Sequence, residues 1–212
     1  MEGQKDGMHK LYEIRALTLE EVRNIYQRYL CIHFAKEERK PLKSIERMWE
    51  QNQYFALGIF EKEEKTLMGY AFFCSCGKSN MVLLDYFAVL EEQRGRGLGS
   101  LFVQHMQDML KERFCGILIE TEDVSFAKNE QEREERNRRN DFYIQNGARK
   151  TGITSRIYDA RYEVYVLPFE EMVMSESELF WEVCYENIYE IYRYMIPGEK
   201  NREAVSFWRK QA

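Results

Sequence analysis

Asp85-Tyr-Phe-Ala-Val-Leu-Glu-Glu-Gln-Arg94-Gly-Arg-Gly97-Leu-Gly99-Ser-Leu-Phe102 is the stretch whose reading decides the fold. Its first part continues an apolar, strand-like run from Met81 to Val89. Its second part opens an amphipathic helix with Leu98, Leu101, Phe102, Met106, Met109 and Leu110 on one face. Glycines stand where that helix starts. A helix start exposes unpaired backbone N–H groups and the positive end of the helix dipole. Small residues let a ligand's phosphates approach those groups closely. Arg94, Gly95, Arg96, Gly97, Leu98, Gly99 and Ser100 therefore read as an anion cradle. A P-loop would close on Gly-Lys-Ser/Thr, and this loop has no Lys. A dinucleotide fold would place G-x-G-x-x-G directly after its strand. Here Ser100 stands at the third glycine, and Leu90 to Arg94 separate strand from glycines. Glu120 follows at about the distance of a ribose-binding acid, so a nucleotide-binding oxidoreductase stays open as an alternative.

Outward from this segment, strands and helices alternate. Tyr12 to Leu17 reads as a strand, and Thr18-Leu-Glu-Glu21 as a capping box opening a helix. Val22, Ile25, Tyr26, Tyr29 and Leu30 keep the helical period. A second helix after Pro41 carries Ile45, Met48 and Trp49 on one stripe. Tyr54 to Phe60 and Leu67 to Cys74 form a hairpin around the charged turn Glu61 to Lys65. Beyond the glycine segment, Ile117 to Glu120 is short and apolar, as a central strand is. Glu130 to Asn146 is helical with Gly147 as its cap. Two final strands are expected around Arg156 to Tyr158 and Tyr162 to Leu167. After Pro168 the pattern changes. Ser175 to Glu178 would cap a helix striped by Phe180, Val183, Cys184, Asn187/Ile188, Ile191 and Met195, ended by Pro197-Gly198, with a last short turn over Glu203 to Arg209. The expected fold is α/β (α+β), a mixed, mostly antiparallel central sheet flanked by helices. Residues 1–168 form the domain and 169–212 a C-terminal helical extension. The extension's Tyr185, Tyr189, Tyr192 and Tyr194 leave two readings open, packing on the domain or a homodimer interface.

Composition narrows the function. The 212 residues are 44% hydrophobic and 32% charged, with 3 Pro and 12 Gly, a globular rather than a disordered or fibrous balance. Apolar runs such as Tyr70 to Phe73 are too short to span a bilayer, so no membrane partner is expected. Met1 to Lys10 lacks the apolar core of a signal peptide, and the expected location is cytoplasmic. The net charge of −5 argues against a nucleic-acid partner and suits a cationic substrate such as a lysine side chain or a polyamine. Five scattered cysteines read as reduced thiols. Cys74 and Cys76 cannot fill a four-ligand zinc site, and His9, His33 and His105 have no metal-ligand spacing, so no metal is expected.

Arg94-Gly-Arg-Gly97-Leu-Gly99, behind the strand Tyr86-Phe-Ala-Val89, resembles the Arg/Gln-x-x-Gly-x-Gly/Ala signature of GNAT N-acetyltransferases. Asn140-Asp-Phe142-Tyr143-Ile-Gln-Asn146-Gly147-Ala148, one strand and one helix further on, resembles that family's Phe-Tyr-x-x-x-Gly-Phe helix end. Ala148 departs from the pattern where the family commonly has Phe. The resemblance covers roughly Leu11 to Pro168, and residues 132–143 and 162–168 resemble a bacterial subgroup with a helical C-terminal extension.

The resemblance implies acetyl-CoA as cosubstrate and an amine of a small molecule or peptide as acceptor. It implies that the cradle holds the coenzyme pyrophosphate and that the backbone of Phe87, Ala88 and Val89 meets the pantetheine arm. N–H groups near Ala88 and Val89 would serve a developing oxyanion. It makes Tyr143 the group that protonates the departing thiolate, and Glu120 the carboxylate that takes the amine's proton, with Glu122 in reserve. A catalytically silent acyl-CoA-binding module that contacts a protein partner is the competing expectation. The acid-before-base pairs Glu132/Arg136, Glu134/Arg138 and Glu135/Arg139 are expected to support a solvated helix, a contact with the coenzyme phosphates being the other reading.

Overall fold

The computed structural model describes residues 11–169, 178–196, 198 and 203–209. They fall into two compact units, one from Met1–Cys74 and Asp85–Met106, the other from Ser75–Leu84 and Gln107–Ala212. The strands belong to an eight-stranded, mostly antiparallel sheet in the order β1-β2-β3-β4-β5-β7-β6-β8.

In the first unit, β1 (Tyr12–Ala16) leads to Thr18, which closes the expected capping box. Glu21 N–H donates to Thr18 Oγ1 at 3.3 Å, and Thr18 N–H donates back to Glu21 Oε2 at 2.8 Å. Helix α1 runs through Leu19–Ile25, a π-helical turn at Tyr26–Leu30 and a final turn at Cys31–His33. It buries Val22, Ile25 and Leu30, and α2 (Leu42–Glu50) buries Ile45 and Met48. β2 (Tyr54–Glu61) and β3 (Leu67–Cys74) form the expected hairpin. Phe55 lies directly opposite Phe73, and their rings stack 5.0 Å apart. Such cross-strand aromatic pairs fix register as well as stability. β4 (Val82–Val89) follows, and Leu90 N–H extends its edge to Met68 O at 2.9 Å. Helix α3 (Leu98–Leu110) buries Leu98, Leu101, Phe102, Met106 and Leu110. Met109, expected on the same stripe, is 41% exposed on the last turn.

In the second unit, β5 (Gly116–Glu122) pairs in parallel with β4 over Val82–Leu84 against Ile117–Ile119, and antiparallel with β7 (Ala160–Pro168) along its whole length. Helix α4 (Glu130–Gln145) starts at Asn129, whose side chain accepts from Glu132 N–H at 2.8 Å. It ends at Gly147, whose φ of +95° is the left-handed conformation that glycine adopts without strain. β6 (Arg149–Ile157) begins well before the Arg156 expected from the sequence. Its register against β7 shifts between Lys150 and Thr154, and Gly152 there has φ +77°. A bulge of this kind interrupts the period of two on which strand reading depends.

The tail helix is present as α5 (Glu178–Met195) and buries Phe180, Cys184, Asn187, Ile188, Ile191 and Met195 of the expected stripe, with Val183 half-buried. Its expected cap at 175–177 lies outside the described residues. Asn187 ties α5 down, its Oδ1 accepting from Ser79 Oγ at 2.6 Å, Asn80 N–H at 2.9 Å and Met81 N–H at 3.0 Å. The last segment corrects the sequence reading. Val205–Arg209 is not a helical turn but β8, antiparallel to β6 from Ile157↔Val205 to Ile153↔Arg209. Val-Ser-Phe-Trp-Arg has β-branched and aromatic residues, and five residues are too few for a helix to stand alone.

Candidate active site

The cradle is set by backbone conformation. After Leu90 the chain makes a 3-10 turn, Glu91–Gln93, and enters α3 through Gly95 and Gly97, both in the left-handed region at φ +75° and +77°. Non-glycine residues meet steric resistance there, which explains the glycine spacing. The backbone N–H groups of Gly95 to Ser100 donate to no described residue. Leu101 N–H is the first to bond back, to Gly97 O at 3.1 Å. Leu98 is buried, and Phe87 packs on Phe102 with centroids 5.6 Å apart, so the turn is anchored from below. Arg94 Nε donates to Val89 O at 3.2 Å, and Arg96 to Gln93 Oε1 at 3.2 Å. Both arginines stay exposed beside the open N–H groups. Unbonded amides at the start of a 13-residue helix, with its dipole and two exposed guanidinium groups, make a site suited to a pyrophosphate.

The first unit also holds polar groups that the sequence reading passed over. Asp85, only 5% exposed at its side chain, accepts from Lys40 Nζ at 2.5 Å and from Tyr54 OH at 2.5 Å. Tyr86 OH accepts from Lys40 N–H at 2.7 Å and donates to Glu38 O at 3.1 Å. Burial works against the Lys40 charge, but the Asp85 carboxylate outweighs it and raises the ammonium's pKa, so Lys40 stays charged. Burial and Asp85 both push the Tyr54 phenol upward. Removing one partner of so buried a pair costs about 3–5 kcal/mol. A lone Asp in Val-Leu-Leu-Asp-Tyr-Phe-Ala-Val was the signal for it. His33 stacks on Tyr70 with Nδ1 3.0 Å from its hydroxyl, and burial, then the Arg94 charge, lower its pKa.

In the second unit Glu120 and Tyr143 have different surroundings. Glu120 lies opposite Val164 in the β5–β7 ladder. Its Oε1 accepts from Ser155 Oγ at 2.7 Å and its Oε2 from Tyr192 OH at 2.5 Å. Directly paired residues of antiparallel strands point to one face. Val164, Tyr162 and Ser155 therefore share the face of Glu120. Glu163 and Tyr165, opposite Thr121 and Ile119, point to the other face. There they line a cavity of about 440 Å³ together with Asn137, Asn140 and Ile144 of α4. Helix α4, and Tyr143 on it, thus covers the face of β5 opposite to Glu120. Tyr143 is buried, and burial pushes its phenol up to about 12 while the Arg139 charge pulls the other way. Its carbonyl accepts from Ala148 N–H at 3.0 Å, which locks the helix end.

Glu122 is committed elsewhere, to Arg136 at 3.0 Å and Arg139 at 3.1 Å. Glu132–Arg136 forms as expected at 2.5 Å, but Arg136 is buried and also donates to Asp123 O at 2.5 Å. The basic side of α4 is therefore not only a solvated ladder, because the end of β5 supplies acceptors within reach of Arg136 and Arg139. Tyr192 and Ser155 were not singled out in the sequence as partners of Glu120. Nothing in a tyrosine-rich helix marks the one residue whose hydroxyl reaches a carboxylate. Among the described residues no group of three metal-ligating side chains occurs, and no helix is long and apolar enough to cross a membrane.

The chain belongs to the GNAT acetyltransferase family, whose sequence model matches residues 19–133. No curated protein matches the chain. Among solved structures it is similar to a GNAT-family protein from Bacteroides thetaiotaomicron, at 18% identity and TM-score 0.63, covering 87% of this chain and 99% of that one. It is also similar to the spermidine/spermine N-acetyltransferase of Vibrio cholerae, at 12% identity and TM-score 0.54, covering 76% and 94%. A ribosomal-protein alanine N-acetyltransferase from Escherichia coli follows at 16% identity and TM-score 0.50, covering 79% and 98%. At these identities the likeness is one of fold.

Proposed function

We propose that this protein transfers an acetyl group from acetyl-CoA to a primary amine by direct transfer in a ternary complex, without a metal. The observation that carries this reading is the cradle, where the N–H groups from Gly95 to Ser100 have no acceptor among the described residues. Gly95, Arg96, Gly97, Leu98, Gly99 and Ser100 would hold the pyrophosphate, with Arg94 and Arg96 adding charge. Phe87, Ala88 and Val89 would offer backbone to the pantetheine arm, and the N–H groups near Ala88 and Val89 would stabilise the oxyanion. Bound there, acetyl-CoA supplies the activated acyl group.

Family membership and solved neighbours named for amine acetylation support an amine acceptor. At pH 7 only about one lysine-like amine in a few thousand is neutral, so a proton acceptor raises the reactive fraction. Glu120 fills that role, directly or through water. Tyr143, on the helix covering the other face of β5, would donate a proton to the departing thiolate from the side opposite to Glu120. Its burial keeps it a neutral phenol at any physiological pH, so the proton is always in place. The 169–212 extension serves this domain as a packed element, since α5 buries its apolar stripe.

Thiol release from acetyl-CoA, measured across a panel of small amines, peptide amines and aminoglycosides and corrected for hydrolysis, tests the reading. Release stimulated by at least one amine, with the acetylated product found by mass spectrometry, is expected. Acetyl-CoA binding with no amine-dependent release would instead identify a silent acyl-CoA-binding module.

A further inference from the structure

The cavity of about 440 Å³ in the second unit is walled by α4, by β6 and β7 and by the turn at Asp123–Ser125, and neither Glu120 nor Tyr143 lines it. Most of its charged groups are already engaged. Glu163 accepts from Lys150 Nζ at 3.2 Å and from Tyr165 OH at 3.4 Å, and Arg133 pairs with Glu130 at 3.3 Å. Asp123 Oδ1 accepts from Ser125 N–H at 2.9 Å and from Ser125 Oγ at 2.6 Å. Asn137, Asn140 and Asp141 are different. They stand at i, i+3 and i+4 on one face of α4, all three line the cavity, and their side chains bond to no described residue. Asn140 stands out among them, because it is only 6% exposed and its Oδ1 is buried with no hydrogen-bond partner. An amide held in this way destabilises the free chain, since it has given up water without a replacement. Rules of this kind are broken at functional sites, where a ligand completes the missing bonds.

We propose that this cavity is a binding site for a small hydroxylated amine, of the amino-sugar or amino-alcohol kind, built from none of the residues of the coenzyme cradle. The Asn140 amide offers an acceptor and two donors, and a hydroxyl group, itself donor and acceptor, answers both. Asp141, the next residue along α4, has a carboxylate with no cation among the described residues and takes the ammonium. The cavity's two cationic side chains, Arg133 and Lys150, are held by Glu130 and Glu163, so the charge left over is negative and disfavours an anion. Ile144, one turn past Asn140 and 46% exposed, supplies an apolar wall for the carbon skeleton. A volume of about 440 Å³ falls within the range of small-molecule sites and suits a ligand the size of a single sugar ring. The site stands on the second unit alone, whatever the cradle binds.

Calorimetry of the full chain without acetyl-CoA tests this with glucosamine as the probe. Glucose, which has the hydroxyls but no amine, and cyclohexylamine, which has the amine but no hydroxyls, serve as comparisons. Saturable binding of glucosamine is expected, at least about 10-fold tighter than that of either comparison. Asp141→Asn, an exposed change that removes only the charge, and Asn140→Leu should each weaken glucosamine binding by at least about 10-fold. Asn140→Leu should also raise Tm of the unliganded chain by about 2–4 °C, because it removes a buried group that has no partner. No saturable binding of glucosamine by the wild type overturns the site. Wild-type affinity in Asp141→Asn and in a folded Asn140→Leu overturns it too, and would place the amine at the acceptor position of the proposed transfer instead. A lower Tm for Asn140→Leu, with Asp141→Asn binding as the wild type does, would make the amide a structural group and equally overturn the site.

Discussion

The two compact units differ in how their polar groups are satisfied. In the first, the helix start at Gly95 to Ser100 presents backbone donors that nothing in the described chain accepts. In the second, the carboxylates are engaged, Glu120 by Ser155 and Tyr192, and Glu122 by Arg136 and Arg139. A region with open donors has its ligand still to come. Engaged acceptors hold side chains in place, as Asp85 also does with Lys40 and Tyr54 in the first unit. The proposed function draws on this contrast, with binding placed in the first unit and proton handling in the second, and each prediction below strikes at one side of it.

The largest expected effect is on the second unit. Ending the chain after Pro168 removes α5 and β8, exposing whatever Phe180, Cys184, Ile188, Ile191 and Met195 now bury and unpairing the β6 edge. Loss of several such side chains exceeds the whole stability of an ordinary domain. The shortened chain should be insoluble or unfolded by circular dichroism. A soluble chain with the melting temperature of the full protein would make the tail a separable module.

Tyr143→Phe comes next. It keeps the ring in its buried place and deletes the hydroxyl, so turnover should fall by about 10²–10⁴ with acetyl-CoA affinity intact. Since burial holds the phenol near 12, no basic limb assignable to Tyr143 should appear below about pH 11. Near-normal turnover would return Tyr143 to a packing role.

The smallest effect lies far from either site. Glu21 closes the α1 capping box and pairs with Arg15 at 2.6 Å, and hydrogen bonding from Arg15, then from Thr18, holds its carboxyl at about 2 despite some burial. Glu21→Gln should destabilise by about 1 kcal/mol at pH 7, lowering Tm by about 2–4 °C. A depressed folded-state pKa gives stability that is present above the unfolded value and lost as pH falls toward the folded one. The gap between wild type and variant should therefore close between about pH 4.5 and pH 2. A gap constant over that range would show that the charge contributes nothing.

Legibility in the sequence follows the same divide. The capping box, the β2–β3 hairpin and the glycine cradle were readable because each rests on residues close in sequence and on steric rules that act locally. The β6 bulge and β8 were not, since a strand at Val205–Arg209 exists only because β6 offers an edge far away in sequence. Tyr192 was hidden for the same reason. Its sequence separation from Glu120 gives no local pattern, and its neighbours Tyr185 and Tyr189 stack on each other at 6.1 Å as plain packing. Asp85 was legible in principle, as one charge inside an apolar strand, but its partner Lys40 was not.

The central claim, that the N–H groups at the start of α3 hold the coenzyme, is tested most directly by calorimetry of acetyl-CoA against the wild-type chain and Gly99→Val. Gly99 sits within α3 and, unlike Gly95 and Gly97, is not among the positive-φ glycines, so the helical backbone there accepts valine, whose branched side chain is expected to crowd a phosphate at the helix start. The account predicts that the wild type binds acetyl-CoA and that Gly99→Val, still folded by circular dichroism, binds at least about 100-fold more weakly, a loss of about 2.7 kcal/mol. Wild-type affinity in the folded variant, or no binding by the wild type, would contradict it.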